Sequence, residues 1–199
     1  MSEQQKPCIL FDVMSTLVRD PFYEDVCAFF SMSLDDLLEQ KSRKAWTQFE
    51  YGITDEATLF KGFFEDGRSI DGIGLRKVVE DGFELLPGIE ALLDELKATH
   101  VEMYALSNYP TWYHMIENKL RLSRWLKWSF VSCDTGYRKP DPAAYNHACD
   151  TLARRPGEVI FVDDKERNTS AAEALGLHSI LFESAEQLRH RLQAAKVLP

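Results

Sequence analysis

Five short apolar runs, separated by longer helix-like stretches, constrain the fold of this 199-residue chain most strongly. Each run is apolar on both faces of an extended strand, which is typical of a parallel sheet covered by helices. The runs are CILF (8–11), VEMYAL (101–106), WSFVSC (128–133), VIFV (159–162) and HSILF (178–182). The alternation predicts an α/β domain built from βα repeats.

One region contains no convincing strand. Residues 19–85 read as helices near 24–30, 33–50, 54–66 and 73–84, punctuated by glycines. We therefore expect two units: an α/β core from residues 1–18 and 86–199, and an inserted all-helical cap from residues 19–85. Such a cap could close over the carboxyl ends of the strands, where open α/β sheets bind ligands.

Composition and charge narrow the class of protein. The net charge is -9 at pH 7 and no long Lys/Arg run is present, which argues against a nucleic-acid partner. The four cysteines (Cys8, Cys27, Cys133 and Cys149) form no CxxC pair, and we find no signal peptide or transmembrane stretch. These features predict a reduced, cytoplasmic protein without a membrane partner, and they leave its oligomeric state open.

Polar side chains follow four of the five apolar runs. Asp12 follows the first run, Ser107-Asn108 the second, a segment ending in Lys139-Pro140 the third, and Asp163-Asp164 the fourth. If the strands are parallel, these groups meet at one edge of the sheet. A carboxylate nucleophile, a hydroxyl, an ammonium and an acidic pair would then share one pocket.

That set of groups suits phosphoryl transfer. Carboxylates hold Mg²⁺, and the metal and Lys139 would neutralise phosphate oxygens. The Ser107 hydroxyl and backbone N–H groups near Asn108 could hold the remaining oxygens. Asp12 could then attack phosphorus and form an aspartyl-phosphate, so the expected partner is a small phosphorylated metabolite.

The segments FDVMSTL, ALSN, GYRKPDP and FVDD, in this order and spacing, resemble the four motifs of the haloacid dehalogenase (HAD) superfamily. The resemblance covers nearly the whole chain and implies a Rossmann-like parallel sheet flanked by helices, with an inserted C1 helical cap. It implies that Asp12 is the nucleophile, that Thr16, Ser107 and Asn108 help to bind phosphate, and that Lys139 orients it. The Mg²⁺ ligands that it implies are Asp12, the main-chain carbonyl of Met14 and Asp164, with Asp163 either ligating the metal or supporting it.

Met14 departs from the pattern of most phosphatases in this superfamily. They carry Asp two residues after the nucleophile, where it protonates the leaving group and then activates water. General acid–base catalysis raises the reaction rate by about 10²–10⁴-fold. Its loss would slow the reaction most when the leaving group is a poorly acidic alcohol. Glu24 or Asp25 at the start of the cap, or His114, could replace it.

Two alternatives to a phosphatase follow from this departure. Haloacid dehalogenases also lack the second Asp, but they need no metal and lack a doubled acid such as Asp163-Asp164. A phosphate-ligand binding protein on a decayed enzyme fold would also tolerate Met14, although it has little need for a nucleophile.

A closer resemblance is carried by FDVMSTLVRDPFYEDV, WTQFEYG and ALSNYPTWY, which look like the plant-type FMN hydrolases and their bacterial relatives. That subgroup also has Met two residues after the nucleophile, with an acid beside it where this chain has Ser15. The resemblance makes FMN a candidate substrate. Aromatic cap residues could stack on its flat ring or form the cap core, namely Trp46, Phe49, Tyr51, Phe63 and Phe64.

Overall fold

The computed structural model describes residues 7–199 and contains a five-stranded, all-parallel sheet. The strands are β1 (Cys8–Phe11), β2 (Met103–Ser107), β3 (Lys127–Val131), β4 (Val159–Asp163) and β5 (His178–Leu181). Their spatial order is β3-β2-β1-β4-β5, so β1 lies at the centre and pairs with β2 and β4. The α/β prediction is confirmed.

The helices follow the strands in the expected alternation. Before β2 the chain forms α1 (Asp25–Phe30), α2 (Leu34–Gln40), α3 (Arg43–Glu50), α4 (Glu56–Lys61), α5 (Gly72–Gly82) and α6 (Ile89–Ala98). After β2 it forms α7 (Tyr113–Leu120), α8 (Ser132–Thr135), α9 (Pro142–Thr151), α10 (Glu166–Ala174) and α11 (Ala185–Ala194). Short 3₁₀ turns lie at Pro21–Tyr23, Leu122–Arg124 and Pro156–Glu158. Within residues 7–199 no helix combines the length and the apolar character needed to cross a membrane.

The central strand β1 is buried on both faces of the sheet. All residues of β1 are 0% exposed, and they alternate between two apolar clusters. Ile9 and Phe11 belong to the cluster that includes leucines of α6 and α11, whereas Cys8 and Leu10 belong to the cluster with α9 and α10. This two-sided burial explains why the strands read as continuous apolar runs.

The helical segment, residues 19–85, leaves and rejoins the rest of the chain at one place. Val18 and Leu85 form an isolated antiparallel bridge. The Arg19 N–H donates to Glu84 O, and the Leu86 N–H donates to Leu17 O, both at 2.9 Å. The two connections between the helical segment and the rest of the chain therefore lie side by side, as expected for an insertion. The division into core and cap stays a prediction.

Three elements differ from the sequence-based expectation. The helix expected over 54–66 is shorter, because α4 ends at Lys61. The helix expected over 33–50 is broken at Lys41, which adopts an extended conformation between α2 and α3 and forms a bridge with Phe64. Ser42 then starts α3, because its side chain accepts from the Ala45 N–H. The third apolar run ends as a strand at Val131, and Ser132 begins the short helix α8.

Candidate active site

The three central strands deliver the site to one edge of the sheet. Asp12 directly follows β1, and its N–H donates to Val162 O of β4 at 2.8 Å. Ser107 is the last residue of β2 and Asp163 the last of β4. All three are buried, with exposed fractions of 5%, 2% and 0% respectively. The convergence follows from the parallel arrangement of the strands.

Lys139 lies between two of the carboxylates. Its Nζ is 2.9 Å from Asp12 Oδ1 and 2.6 Å from Asp163 Oδ2. Asn108 fixes the Lys139 backbone through two bonds of 2.8 Å, because its Nδ2 donates to Lys139 O and its Oδ1 accepts from the Lys139 N–H. The segment after β3 is thereby held against the end of β2, and the ammonium is directed into the site.

Asp163 is saturated with donors from the protein. Its Oδ1 accepts from the Lys165 N–H and from Asn168 Nδ2, both at 2.9 Å. Its Oδ2 accepts from Lys139 Nζ and, at 3.0 Å, from the same Asn168 nitrogen. Tyr145 holds Asn168 in turn by donating to its carbonyl at 2.9 Å. These contacts make Asp163 an anchor for Lys139.

The acidic residues form a cluster suited to a cation. Ligand oxygens of Asp12, Asp163 and Asp164 all lie within 4.8 Å of one another. Burial raises the pKa of Asp12 to about 7, with Lys139 opposing this shift and Asp163 adding to it. Burial also raises the pKa of Asp164, whose buried Oδ1 has no hydrogen-bond partner among the described residues. An all-oxygen donor set with excess negative charge fits Mg²⁺.

Two hydroxyls at this edge complement the acidic cluster. Thr16 and Ser107 are 0% and 2% exposed, and neither side-chain oxygen has a hydrogen-bond partner in the part of the chain that the structure describes. Buried hydroxyls normally find partners, so an orphaned pair marks a place for a polar ligand. Phosphate oxygens would accept from both.

The loop after Asp12 turns back sharply. The Ser15 N–H donates to Val18 O at 2.7 Å, and the Leu17 and Val18 N–H groups donate to Val13 O at 2.9 Å. This turn buries Thr16 and leaves Met14 6% exposed. The sulfur-bearing side chain of Met14 lines a cavity and carries no ionisable group.

That cavity, the cap cavity, lies between the helical segment and the strand ends and has a volume of about 270 Å³. Its wall is mainly apolar and aromatic, with a few charged groups. The wall residues that bear on ligand binding are Met14, Asp20, Phe22, Lys41, Trp46, Glu50, Phe63, Asn108, Tyr109, Trp112 and Lys165. Of the aromatic candidates from the sequence, Trp46 and Phe63 line it, whereas Phe49, Tyr51 and Phe64 are not part of its wall.

Four charged residues of the cap cavity were missed in the sequence, namely Asp20, Lys41, Glu50 and Lys165. Burial opposes the Lys165 charge, but Asp12 and Asp164 raise its pKa overall. Lys41 is placed by the break between α2 and α3, and burial lowers its pKa. Glu50 binds Arg138 at 2.7 Å and so links the helical segment to the residue before Lys139. Of these residues, only Lys165 could have been predicted from the sequence to lie at the site, because it directly follows the acidic pair.

The acids proposed earlier as replacements for a missing proton donor lie elsewhere. Glu24 and Asp25 both bind Arg19, and His114 is exposed. None of these three side chains forms part of the cap cavity wall.

Comparison with known proteins places these features in context. The model of the haloacid dehalogenase-like hydrolases matches residues 7–176. Flavin mononucleotide hydrolase 1 of Arabidopsis thaliana, a chloroplastic protein, is 45% identical over 186 residues, which cover 94% of this chain and 76% of the relative.

Solved structures agree on the architecture. A HAD-like family hydrolase from Porphyromonas gingivalis has a TM-score of 0.77 and 20% identity, covering 96% of this chain and 98% of that one. A HAD family enzyme from Bacteroides thetaiotaomicron, crystallised with magnesium and inorganic phosphate, has a TM-score of 0.74 and 18% identity, covering 94% and 99%. At these identities the likeness concerns the fold.

Proposed function

The chain belongs to the haloacid dehalogenase-like hydrolases, and we propose that it is a Mg²⁺-dependent phosphatase acting on small phosphomonoesters. The observation that carries the proposal is the buried pairing of Lys139 with Asp12 and Asp163 beside two unpartnered hydroxyls. A nucleophile, a cation and phosphate-sized hydrogen-bond donors are thereby gathered at one sheet edge.

The proposed metal site uses Asp12 and Asp164 as side-chain ligands, with the Met14 carbonyl as a main-chain ligand. Asp163 contributes chiefly by holding Lys139, since its oxygens already accept four hydrogen bonds. Bound Mg²⁺ would neutralise phosphate oxygens and offset the charge of the acidic cluster. The clustering of the Asp12, Asp163 and Asp164 oxygens supports this assignment.

Side chains of the protein bind the phosphate and carry out the two steps of the proposed reaction. Lys139, Thr16 and Ser107 bind the non-bridging phosphate oxygens and hold the phosphorus in line with Asp12. The Asp12 carboxylate attacks phosphorus, the bond to the leaving oxygen breaks, and an aspartyl-phosphate forms on Asp12. Water then attacks the phosphorus of this intermediate, which releases phosphate and restores the carboxylate. Asn108 holds the Lys139 backbone in place in both steps through its two hydrogen bonds.

FMN is the substrate that we propose to test first. The name of the Arabidopsis relative supports it, as does the aromatic wall of the cap cavity formed by Phe22, Trp46, Tyr109 and Trp112. A flat, polarisable ring gains from edge and face contacts with such a wall. The cytoplasmic location and the absence of a nucleic-acid partner, both expected from the sequence, stay predictions.

Phosphate release from a panel of compounds tests the proposal. FMN, glycerol phosphate, p-nitrophenyl phosphate and acetyl phosphate would each be incubated with Mg²⁺ and, separately, with a chelator. The proposal predicts Mg²⁺-dependent release, with FMN preferred among the alkyl phosphates. Chelator-resistant release of halide from 2-haloacids would favour the dehalogenase alternative, and ligand binding without turnover would favour the decayed binding protein.

A further inference from the structure

The leaving group of an alkyl phosphate needs a proton. Departure of a poorly acidic alcohol is accelerated by a positioned acid, by about 10²–10⁴-fold. This inference rests on the proposed phosphatase function. Met14 supplies no proton, so the acid must come from elsewhere in the cap cavity, where a bound substrate would place its leaving group.

Among the residues of the cavity wall, only Asp20 and Glu50 carry carboxyl groups. Both oxygens of Glu50 are engaged, because Trp46 Nε1 donates to Oε1 and Arg138 Nε donates to Oε2, each at 2.7 Å. Asp20 Oδ1 accepts from the Phe22 N–H at 3.0 Å. Asp20 Oδ2 makes no hydrogen bond within residues 7–199, so it is available to a ligand.

The turn after Asp12 brings Asp20 back to the site. Met14 and Val18 form a bridge, and the Ser15 N–H donates to Val18 O. The chain therefore folds back on itself, and Asp20, eight residues after Asp12, lines the same cavity as Met14 and Asn108. Its neighbour Arg19 is instead bound by Asp25 and Glu24, outside the cavity wall.

The surroundings of Asp20 favour its protonated form. Burial raises its pKa overall, and the carboxylate of Asp164 adds to this shift, while the hydrogen bond from the Phe22 N–H and the charges of Lys165 and Lys41 oppose it. Tyr109, which also faces the cavity, has its pKa raised well above 10 by burial and is a poor acid. The Lys41 ammonium is held over the Phe22 ring, 4.5 Å from its centroid.

We propose that Asp20 is the general acid and base of the reaction. In the first step Asp12 forms the bond to phosphorus, the phosphorus–oxygen bond of the ester breaks, and the proton of Asp20 passes to the leaving oxygen. The products are the alcohol, the aspartyl-phosphate and the Asp20 carboxylate. In the second step water attacks phosphorus and gives its proton to Asp20, which releases hydrogen phosphate and restores both side chains.

The test compares leaving groups of different acidity in the Asp20→Asn variant. Asparagine keeps the oxygen that accepts from Phe22, so the local turn is retained. With rapid quenching, alcohol release in the first turnover would be measured for FMN, glycerol phosphate and p-nitrophenyl phosphate. Asp25→Asn, which changes a carboxylate outside the cavity, is the matched control, and Lys41→Met tests the competing ammonium.

We expect Asp20→Asn to slow first-turnover release of riboflavin and glycerol by about 100-fold or more, in line with a lost general acid. Nitrophenol needs no proton to leave, so its first equivalent should appear within about threefold of the wild-type rate, followed by slow turnover. Equal slowing of all three compounds, or the alkyl-selective loss appearing in Lys41→Met instead, would overturn the proposal. A wild-type protein inactive on all three would refute the phosphatase function itself.

Discussion

The ammonium of Lys139 lies 2.9 Å from Asp12 Oδ1, with only 1% of the lysine side chain exposed. This pair sets the electrostatics of the whole site, because Lys139 Nζ also lies 2.6 Å from Asp163 Oδ2. Lys139 is a buried cation in contact with two of the three clustered carboxylates, so we expect it to be structurally indispensable when no metal is bound.

Replacing Lys139 by Met should therefore destabilise the metal-free protein. Removing one partner of a buried ion pair leaves an uncompensated charge and costs about 3–5 kcal/mol of unfolding free energy. Urea denaturation at neutral pH in a chelator would measure this. Lys44→Met, at an exposed position of α3, is the control. A loss below about 1 kcal/mol for Lys139→Met would contradict the structural role.

Mg²⁺ should stabilise the folded protein. A ligand that binds only the native state adds about 2.7 kcal/mol at a concentration 100-fold above its Kd. Thermal unfolding with increasing Mg²⁺ should show a rising Tm, and the rise should be largely lost in Asp164→Asn. Asp150→Asn, on the exposed side of α9, should keep it. The same rise in wild type and Asp164→Asn would place the metal elsewhere.

The sheet could be predicted because both its faces are covered. Runs such as Cys8–Phe11 are apolar at every position, and that pattern together with the intervening helices leaves few alternatives. The residues that meet at the strand ends followed from the parallel arrangement alone. The positions of Asp12, Ser107 and Asp163 could be predicted without knowing how the loops fold.

The cap cavity could not be predicted in the same way. Lys41 faces it because α2 and α3 are separated by pairing with a distant segment, in which the Ser42 N–H donates to Phe63 O at 2.7 Å and the Glu65 N–H to Gln40 O at 3.0 Å. No glycine or proline marks this break. Asp20 is placed by the turn closed at Val18 and by the bridge between Val18 and Leu85, so contacts that no sequence pattern marks place both groups.

Trp46 should contribute to the recognition of a flat ring. Its indole lines the cap cavity and contacts Trp112 edge-on, with ring centroids 6.1 Å apart. Trp46→Leu removes the aromatic face, which is worth about 0.5–1.5 kcal/mol, and should raise KM for FMN by about 2- to 12-fold. KM for glycerol phosphate should stay unchanged, and Trp128→Leu, outside the cavity, should alter neither. An equal change for both substrates would argue against ring stacking.

Met14 and Asp20 line one cavity, so a carboxyl introduced at position 14 could take over proton transfer. Met14→Asp combined with Asp20→Asn should recover at least about tenfold of the alkyl phosphatase activity lost in Asp20→Asn alone. Steady-state riboflavin release would measure the recovery, with Met14→Asn in the same background as the uncharged control. Recovery in both double variants would mean that polarity or space, not a proton, is the missing element.

The most direct test of the central claim is the rate of phosphate release by Asp12→Asn in saturating Mg²⁺. If Asp12 is the nucleophile, release from FMN and from p-nitrophenyl phosphate should both fall below about a thousandth of the wild-type rate, because no leaving group can compensate for a lost nucleophile. Far-ultraviolet circular dichroism would establish that the variant is folded. A folded Asp12→Asn protein that retains more than about a tenth of wild-type release would contradict the account.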